Sequence, residues 1–155
     1  MKNWILILVI NCFLVGCTPE GRVYEKHKEL SPNLEWLQAD SREFEIPVEN
    51  LDKNYNLSLT FRYATGFQFR TVNVQVTEIS PAGTEQVYEY SLNVRNEAGE
   101  YIGEPGYDIW DSEHLVEANK TYFETGTYTY RITHTMQQDP LNFAMEIGMI
   151  LDEVK

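Results

Sequence analysis

The sequence predicts an all-β chain, an antiparallel two-sheet β-sandwich of jelly-roll or immunoglobulin-like type behind an N-terminal tether. Three observations predict it. Several short runs alternate apolar and polar side chains with period two, the mark of strands with one buried face. Turn formers such as Ser80-Pro81-Ala82-Gly83, Asn96-Glu97-Ala98-Gly99 and Asp139-Pro140 bound those runs. No segment carries helical periodicity over a useful length, and turn-bounded strands without helices close on each other as two sheets.

The chain begins with a different kind of segment. Met1-Lys2 supplies one positive charge, Trp4 to Val15 is mostly apolar, and Leu14-Val15-Gly16-Cys17 ends the run. This is the layout of a secretory signal peptide. Spanning a bilayer takes roughly 20 apolar residues, whereas this run is interrupted at Asn11 and Cys12 and stops at Thr18-Pro19-Glu20-Gly21. Leu three residues before the cleavage point, a small residue just before it and cysteine just after make a lipobox. Residues 1–16 are therefore expected to be removed, and Cys17 to become the first mature residue, carrying a diacylglyceryl group and an acyl (palmitate-type) chain. Several acyl chains at about 0.8 kcal/mol per buried methylene give a stable membrane anchor, where one myristoyl chain gives marginal binding. Residues 17–35 then read as a lipid-anchored tether, with Pro19, Gly21 and the mixed charges of Glu25 to Glu29, and Ser31-Pro32 is placed to cap one helical turn.

The sandwich domain is expected over residues 36–155, starting at Trp36. Phe44, Ile46 and Val48 alternate with Glu43, Glu45 and Pro47, and the proline predicts an edge strand. Tyr55, Leu57, Leu59, Phe61 and Tyr63 give the clearest inside-outside pattern, followed by Val72, Val74 and Val76, and then by Tyr88, Tyr90, Leu92 and Val94. Gly126 opens a strand with Tyr128, Tyr130 and Ile132 on one face. Phe143, Met145, Ile147, Met149 and Leu151 form the last, with Gly148 marking a bulge or a close backbone approach. Two weaker strands are expected at Tyr107 to Trp110 and Thr121 to Glu124.

Composition narrows the function. Removal of the leader leaves 139 of 155 residues, one domain by size. Cys12 leaves with the leader and Cys17 is spent on lipid, so no thiol remains for a disulfide, a nucleophile or a metal. Loss of Lys2 sets 11 basic against 24 acidic side chains, a net charge of minus 13 that argues against nucleic acid as a partner.

Candidate sites cluster between Asn96 and Asn119, where seven acids (Glu97, Glu100, Glu104, Asp108, Asp111, Glu113 and Glu117) stand without a lysine or arginine. Asp108, Asp111 and Glu113 are close enough to share a calcium ion but lack the spacing of a calcium loop, so no metal or other cofactor is assigned. Tyr101, Tyr107 and Trp110 lie among glycines in the same stretch, so these rings with Asp108, Asp111 and Glu113 are the candidate contact set for a partner protein or a glycan. Plugging the open end of the sandwich is the competing use of the rings. Arg62, on the polar side of its strand, is expected to pair with a neighbouring carboxylate. The three histidines, His27, His114 and His134, sit far apart in sequence, and there is no glycine-flanked nucleophilic serine or phosphate-cradling loop. No catalytic residue is assigned and the chain is not read as an enzyme.

The order of features resembles the gliding-motility lipoprotein GldH family. The resemblance rests on Cys17, Trp36 ahead of Phe44, Tyr55-Asn56-Leu57 with Arg62, Leu92, Gly99, Ile102-Gly103, Gly106 and Asp108-Ile109. It continues through Phe123, Gly126-Thr127-Tyr128, Met136, Asp139, Leu141 and Ile147-Gly148, and so covers nearly the whole chain. Gln137 departs from the pattern, which carries arginine after the methionine, and Phe67 to Asn73 matches only loosely. The resemblance implies a non-enzymatic envelope lipoprotein of Bacteroidota that serves gliding motility alongside the type IX secretion machinery. A scaffold or adaptor touching envelope proteins of that apparatus is the expected function. A surface glycan-binding lipoprotein with a β-sandwich carbohydrate module is the alternative. With Glu20 the one acid just after the lipobox, the expected location is the outer membrane, facing the periplasm.

Overall fold

A computed structural model describes residues 19–155, so Cys17 and the leader fall outside the described residues. Two antiparallel sheets stack as a sandwich. The five-stranded sheet has the order β1 (Arg22–Glu29), β11 (Ala144–Glu153), β4 (Tyr55–Ala64), β8 (Ile109–Lys120) and β7 (Glu104–Pro105). The four-stranded sheet has the order β3 (Arg42–Val48), β9 (Gly126–His134), β5 (Thr71–Ile79) and β6 (Glu85–Asn93). A two-residue pair, β2 (Glu35–Trp36) with β10 (Leu141–Asn142), joins them at one end.

The alternating pattern builds the core as expected. Tyr55, Leu57, Leu59, Phe61 and Tyr63 of β4 face Val72, Val74 and Val76 of β5 and Tyr128, Tyr130 and Ile132 of β9 in one buried cluster. Each such side chain contributes about 1.5–3 kcal/mol by leaving water. Pro47 does lie in an edge strand, where its missing N–H breaks no ladder bond. Trp36 is the largest fully buried side chain, and its Nε1 donates to the Asp40 carbonyl at 2.9 Å.

Four expectations need correction. The stretch read as a tether forms β1, paired along β11, so the folded domain begins near Arg22 and not at Trp36. Its inward side offers one apolar residue, Tyr24, while Lys26 and Lys28 lie over the Tyr24 and Phe44 rings at 5.5 and 5.6 Å. Lysine ammonium groups over ring faces thus occupy positions where an alternating strand would carry hydrophobes. Ser31-Pro32 makes a turn, closed by Leu34 N donating to the Ser31 carbonyl, rather than a helix. The strand expected at Tyr107 to Trp110 starts only at Ile109, the acidic stretch before it being loop apart from the two-residue β7. From Ile109 to Lys120 it is the 12-residue strand β8, whereas Thr121 to Glu124 is the turn after it. Lastly, the last strand begins at Ala144, because Phe143 has a φ of 64° and a bulge between Ala144 and Glu146 resets the alternation.

Candidate functional site

Charged and aromatic groups gather in three places. At one end of the sandwich, Tyr63 is fully buried and its one hydroxyl proton is shared between the carbonyls of Val94 and Ile102, at 2.8 and 2.6 Å. Burial pushes its phenol up to about 12. Tyr101 packs on Tyr63 and on Trp110, at centroid distances of 5.7 and 5.2 Å. The Arg95 guanidinium lies 4.1 Å above the Tyr101 ring, and the Tyr101 hydroxyl accepts hydrogen bonds from Arg95 and from the Gly66 amide. Gly103 lets the chain touch β8 here, since a Cβ would overlap the Asp111 carbonyl.

The outward face of the five-stranded sheet holds a row of charges across four strands. Arg62 of β4 donates to Asp111 of β8 at 2.6 and 3.1 Å and lies 3.7 Å from Glu146 of β11. His27 of β1 meets Thr60 at 3.1 Å, Glu25 at 3.1 Å and Glu146 at 3.5 Å. Beneath them is Gly148, as the close approach expected there: a Cβ would overlap Thr60 Oγ1 and His27 Nδ1. Glu104 and Glu113 border the shallow hollow of about 450 Å³ over this row.

On the side where β6 and β8 lie, the sheets part to leave a hollow of about 360 Å³. At its base the Lys120 side chain, 4 % exposed, pairs with Glu78 at 2.8 Å and Glu117 at 3.1 Å. Burial works against the ammonium charge, and the two carboxylates outweigh it and hold the lysine above its ordinary range. The Tyr88 and Tyr122 rings flank Nζ at 5.7 and 5.3 Å. The Tyr122 and Tyr130 hydroxyls share a 2.8 Å bond, and burial raises both phenols.

The residues singled out from sequence are divided between these places. Tyr101 and Trp110 plug the sandwich end, half-buried and tilted by 34° to each other, while Tyr107 stands fully exposed at the loop tip. The three rings share no platform. Asp108 closes the same loop through its carbonyl, which accepts from Thr65 N at 2.8 Å. Asp111 and Glu113 belong to the outward sheet face, and Arg62 has the carboxylate partner expected of it. Among the described residues no group of three or more acids, histidines or cysteines is placed to hold a metal ion. Lys120 and Glu78 are absent from the sequence-derived candidates, and Glu117 stands there only as one of seven acids. Their signal was a lone lysine ending a long acidic stretch, and a glutamate in phase with Val72, Val74 and Val76.

Together these features define a class: a single β-sandwich that carries its charged groups on one sheet face and one open side. A family model described as GldH lipoprotein matches residues 22–151, and the chain belongs to the GldH lipoprotein family. It is thus a gliding-motility-related lipoprotein, with the membrane-anchored place in the envelope that a lipoprotein family carries. No curated protein and no solved structure matches the chain.

Proposed function

We propose that this protein is a non-enzymatic scaffold or adaptor of the gliding apparatus, acting by contact with other envelope proteins and linked to the type IX secretion machinery. Lipid chains on Cys17 hold it to the outer membrane, facing the periplasm. The observation that carries the reading is the outward face of the five-stranded sheet. Its charges are fixed in cross-strand pairs on a flat, open surface: Arg62 is 40 % and Asp111 49 % exposed, yet both are held in a two-point bond. Pre-fixed charges favour protein contact, because little side-chain freedom is lost on docking. The start of β1 at Arg22 leaves a tether of four residues after Cys17, so the domain would sit close to its membrane.

Crosslinking pull-down from the native host tests this, with wild type compared to a variant in which Glu104, Asp111 and Glu113 become Gln or Asn. Recovery of motility or secretion components that depends on this face is the expected result. Capture of no protein, together with retention of polysaccharide by the purified protein, would replace the adaptor with a glycan binder. The anchor is tested separately by Cys17→Ala, which should yield soluble or unprocessed protein. A mature lipid-bearing species from that variant would sink the lipidation assignment.

A further inference from the structure

Each sheet leaves one long strand open on the same side of the sandwich. Among the described residues β6 bonds only to β5 along its length, and β8 beyond Asp111 bonds only to β4. Nine residues of β6 therefore present an edge of about 30 Å, with backbone donors and acceptors free to pair. The opposite side is protected in the ways edges usually are. There β3 carries Pro47 and β1 carries Lys26 and Lys28. Neither β6 nor Ser112–Asn119 of β8 contains a proline, a lysine or an arginine.

Charge decides what can pair with this edge. Its exposed carboxylates are Glu85 and Glu89 on β6, with half-buried Glu117 of β8 behind them, and the nearby cation, Lys120, is buried and already paired. A second copy of the chain would bring acids against acids. At the lower end Phe123 is 87 % exposed and lines the 360 Å³ hollow together with Glu117 and Glu124. An aromatic face beside two carboxylates suits a guanidinium or ammonium group.

We propose that this side is a strand-addition site for an extended, lysine- or arginine-rich segment of another protein. The segment pairs with the free edge of β6 as a fifth strand of that sheet, and one of its cationic side chains lies on Phe123 between Glu117 and Glu124. Main-chain bonds supply the register and the acids select the partner. This inference rests on the adaptor reading and names both the surface and the partner's chemistry.

The test uses the full-length lipoprotein in its native host, with a photoreactive residue at Val87 on the open edge, Glu45 on the protected edge, or Glu113 on the outward sheet face. Crosslinked peptides are identified by mass spectrometry. The expected result is capture at Val87 of a segment rich in lysine or arginine and without helical periodicity, absent at Glu45. Combined Glu85→Lys, Glu89→Lys and Phe123→Ala changes, all exposed, should lower that capture by about tenfold or more with Tm unchanged. Capture at Glu113 but not at Val87 would overturn the edge site and leave the adaptor reading standing. Capture of protein at none of the three positions would overturn both. A captured segment that is acidic or helical, or capture indifferent to the charge reversal, would overturn the strand-addition proposal.

Discussion

The pair of Lys120 and Glu78 gives a direct test of how the open side of the sandwich is held. Lys120→Met keeps most of the buried stem and removes the ammonium. Glu78, whose side chain is 11 % exposed, is then left facing Glu117 with no cation beside it. Breaking a buried pair in this way costs about 3–5 kcal/mol, because the remaining charge is desolvated and unpaired. A loss of that size lowers Tm by roughly 10 °C or more in a domain of this length. The double variant Lys120→Met/Glu78→Leu removes both charges, and Glu117, 31 % exposed, can turn to water. Replacement of both members is commonly close to neutral, so the double variant should recover most of the loss. Urea unfolding followed by tryptophan fluorescence measures both variants against wild type. The reasoning fails if Lys120→Met costs under about 1 kcal/mol, or if the double variant is no more stable than the single.

Other consequences concern pH and packing. His134 is fully buried: Nε2 donates to the Trp36 carbonyl at 2.9 Å, Nδ1 has no partner among the described residues, and burial lowers its pKa, as it does for His114. Since the unfolded chain takes up these protons first, stability should hold above about pH 6.5 and fall as pH drops below it. His134→Gln should flatten that slope in pH-resolved urea titrations, and an unchanged slope would show that His134 does not set it. Tyr63, raised to about 12, and the still higher Tyr130 stay neutral in the fold after the unfolded phenols ionise. Stability should therefore fall again above about pH 10, which circular dichroism during base titration would follow, with Tyr63→Phe less sensitive than wild type. Gly148→Val should cost about 1–3 kcal/mol by overpacking and speed hydrogen exchange in β1 before β5. Uniform exchange would argue that His27 simply swings away.

Sequence pattern was informative where one face of a strand is apolar along most of its length. β3, β4, β5, β9 and most of β11 meet that condition, and their core residues fall where the alternation puts them. The pattern failed at both margins of the larger sheet for a shared reason. In β1 the inward positions after Tyr24 are Lys26 and Lys28, and in β8 they include Ser112 and His114. Period-two geometry is present in both, but the residues that carry it are polar. Ser112 is tolerated because its Oγ donates to the Phe61 carbonyl at 3.0 Å, and the lysines because, exposed on an edge strand, they keep their ammonium groups in water and over ring faces. The candidate site was legible as an acidic stretch with aromatics. Its division among an end plug, a sheet face and an open side depended on the register of β4 with β8, which no local signal sets.

The residues that carry the family resemblance explain why belonging to the family leaves the partner unnamed. Trp36, Met136, Asp139 and Leu141 are scattered in sequence and meet at one end of the fold. Leu141 pairs with Trp36, Gln38 N donates to Asp139 Oδ1 at 3.0 Å, and Gln38 Nε2 donates to the Met136 carbonyl. His134, beside them, is bonded to Trp36. This knot joins the end of β9 to the chain between β2 and β3, so its members serve closure of the sandwich and touch nothing beyond it. Gln137, the departure from the pattern, is exposed next to the knot, and the bonds at Met136 and Asp139 do not involve its side chain. These closure residues account for the fold and its lineage. On the adaptor reading, recognition falls to what closure leaves free: the paired charges of the outward face, where Arg62 also carries the resemblance, and the open side of β6, where Phe123 does.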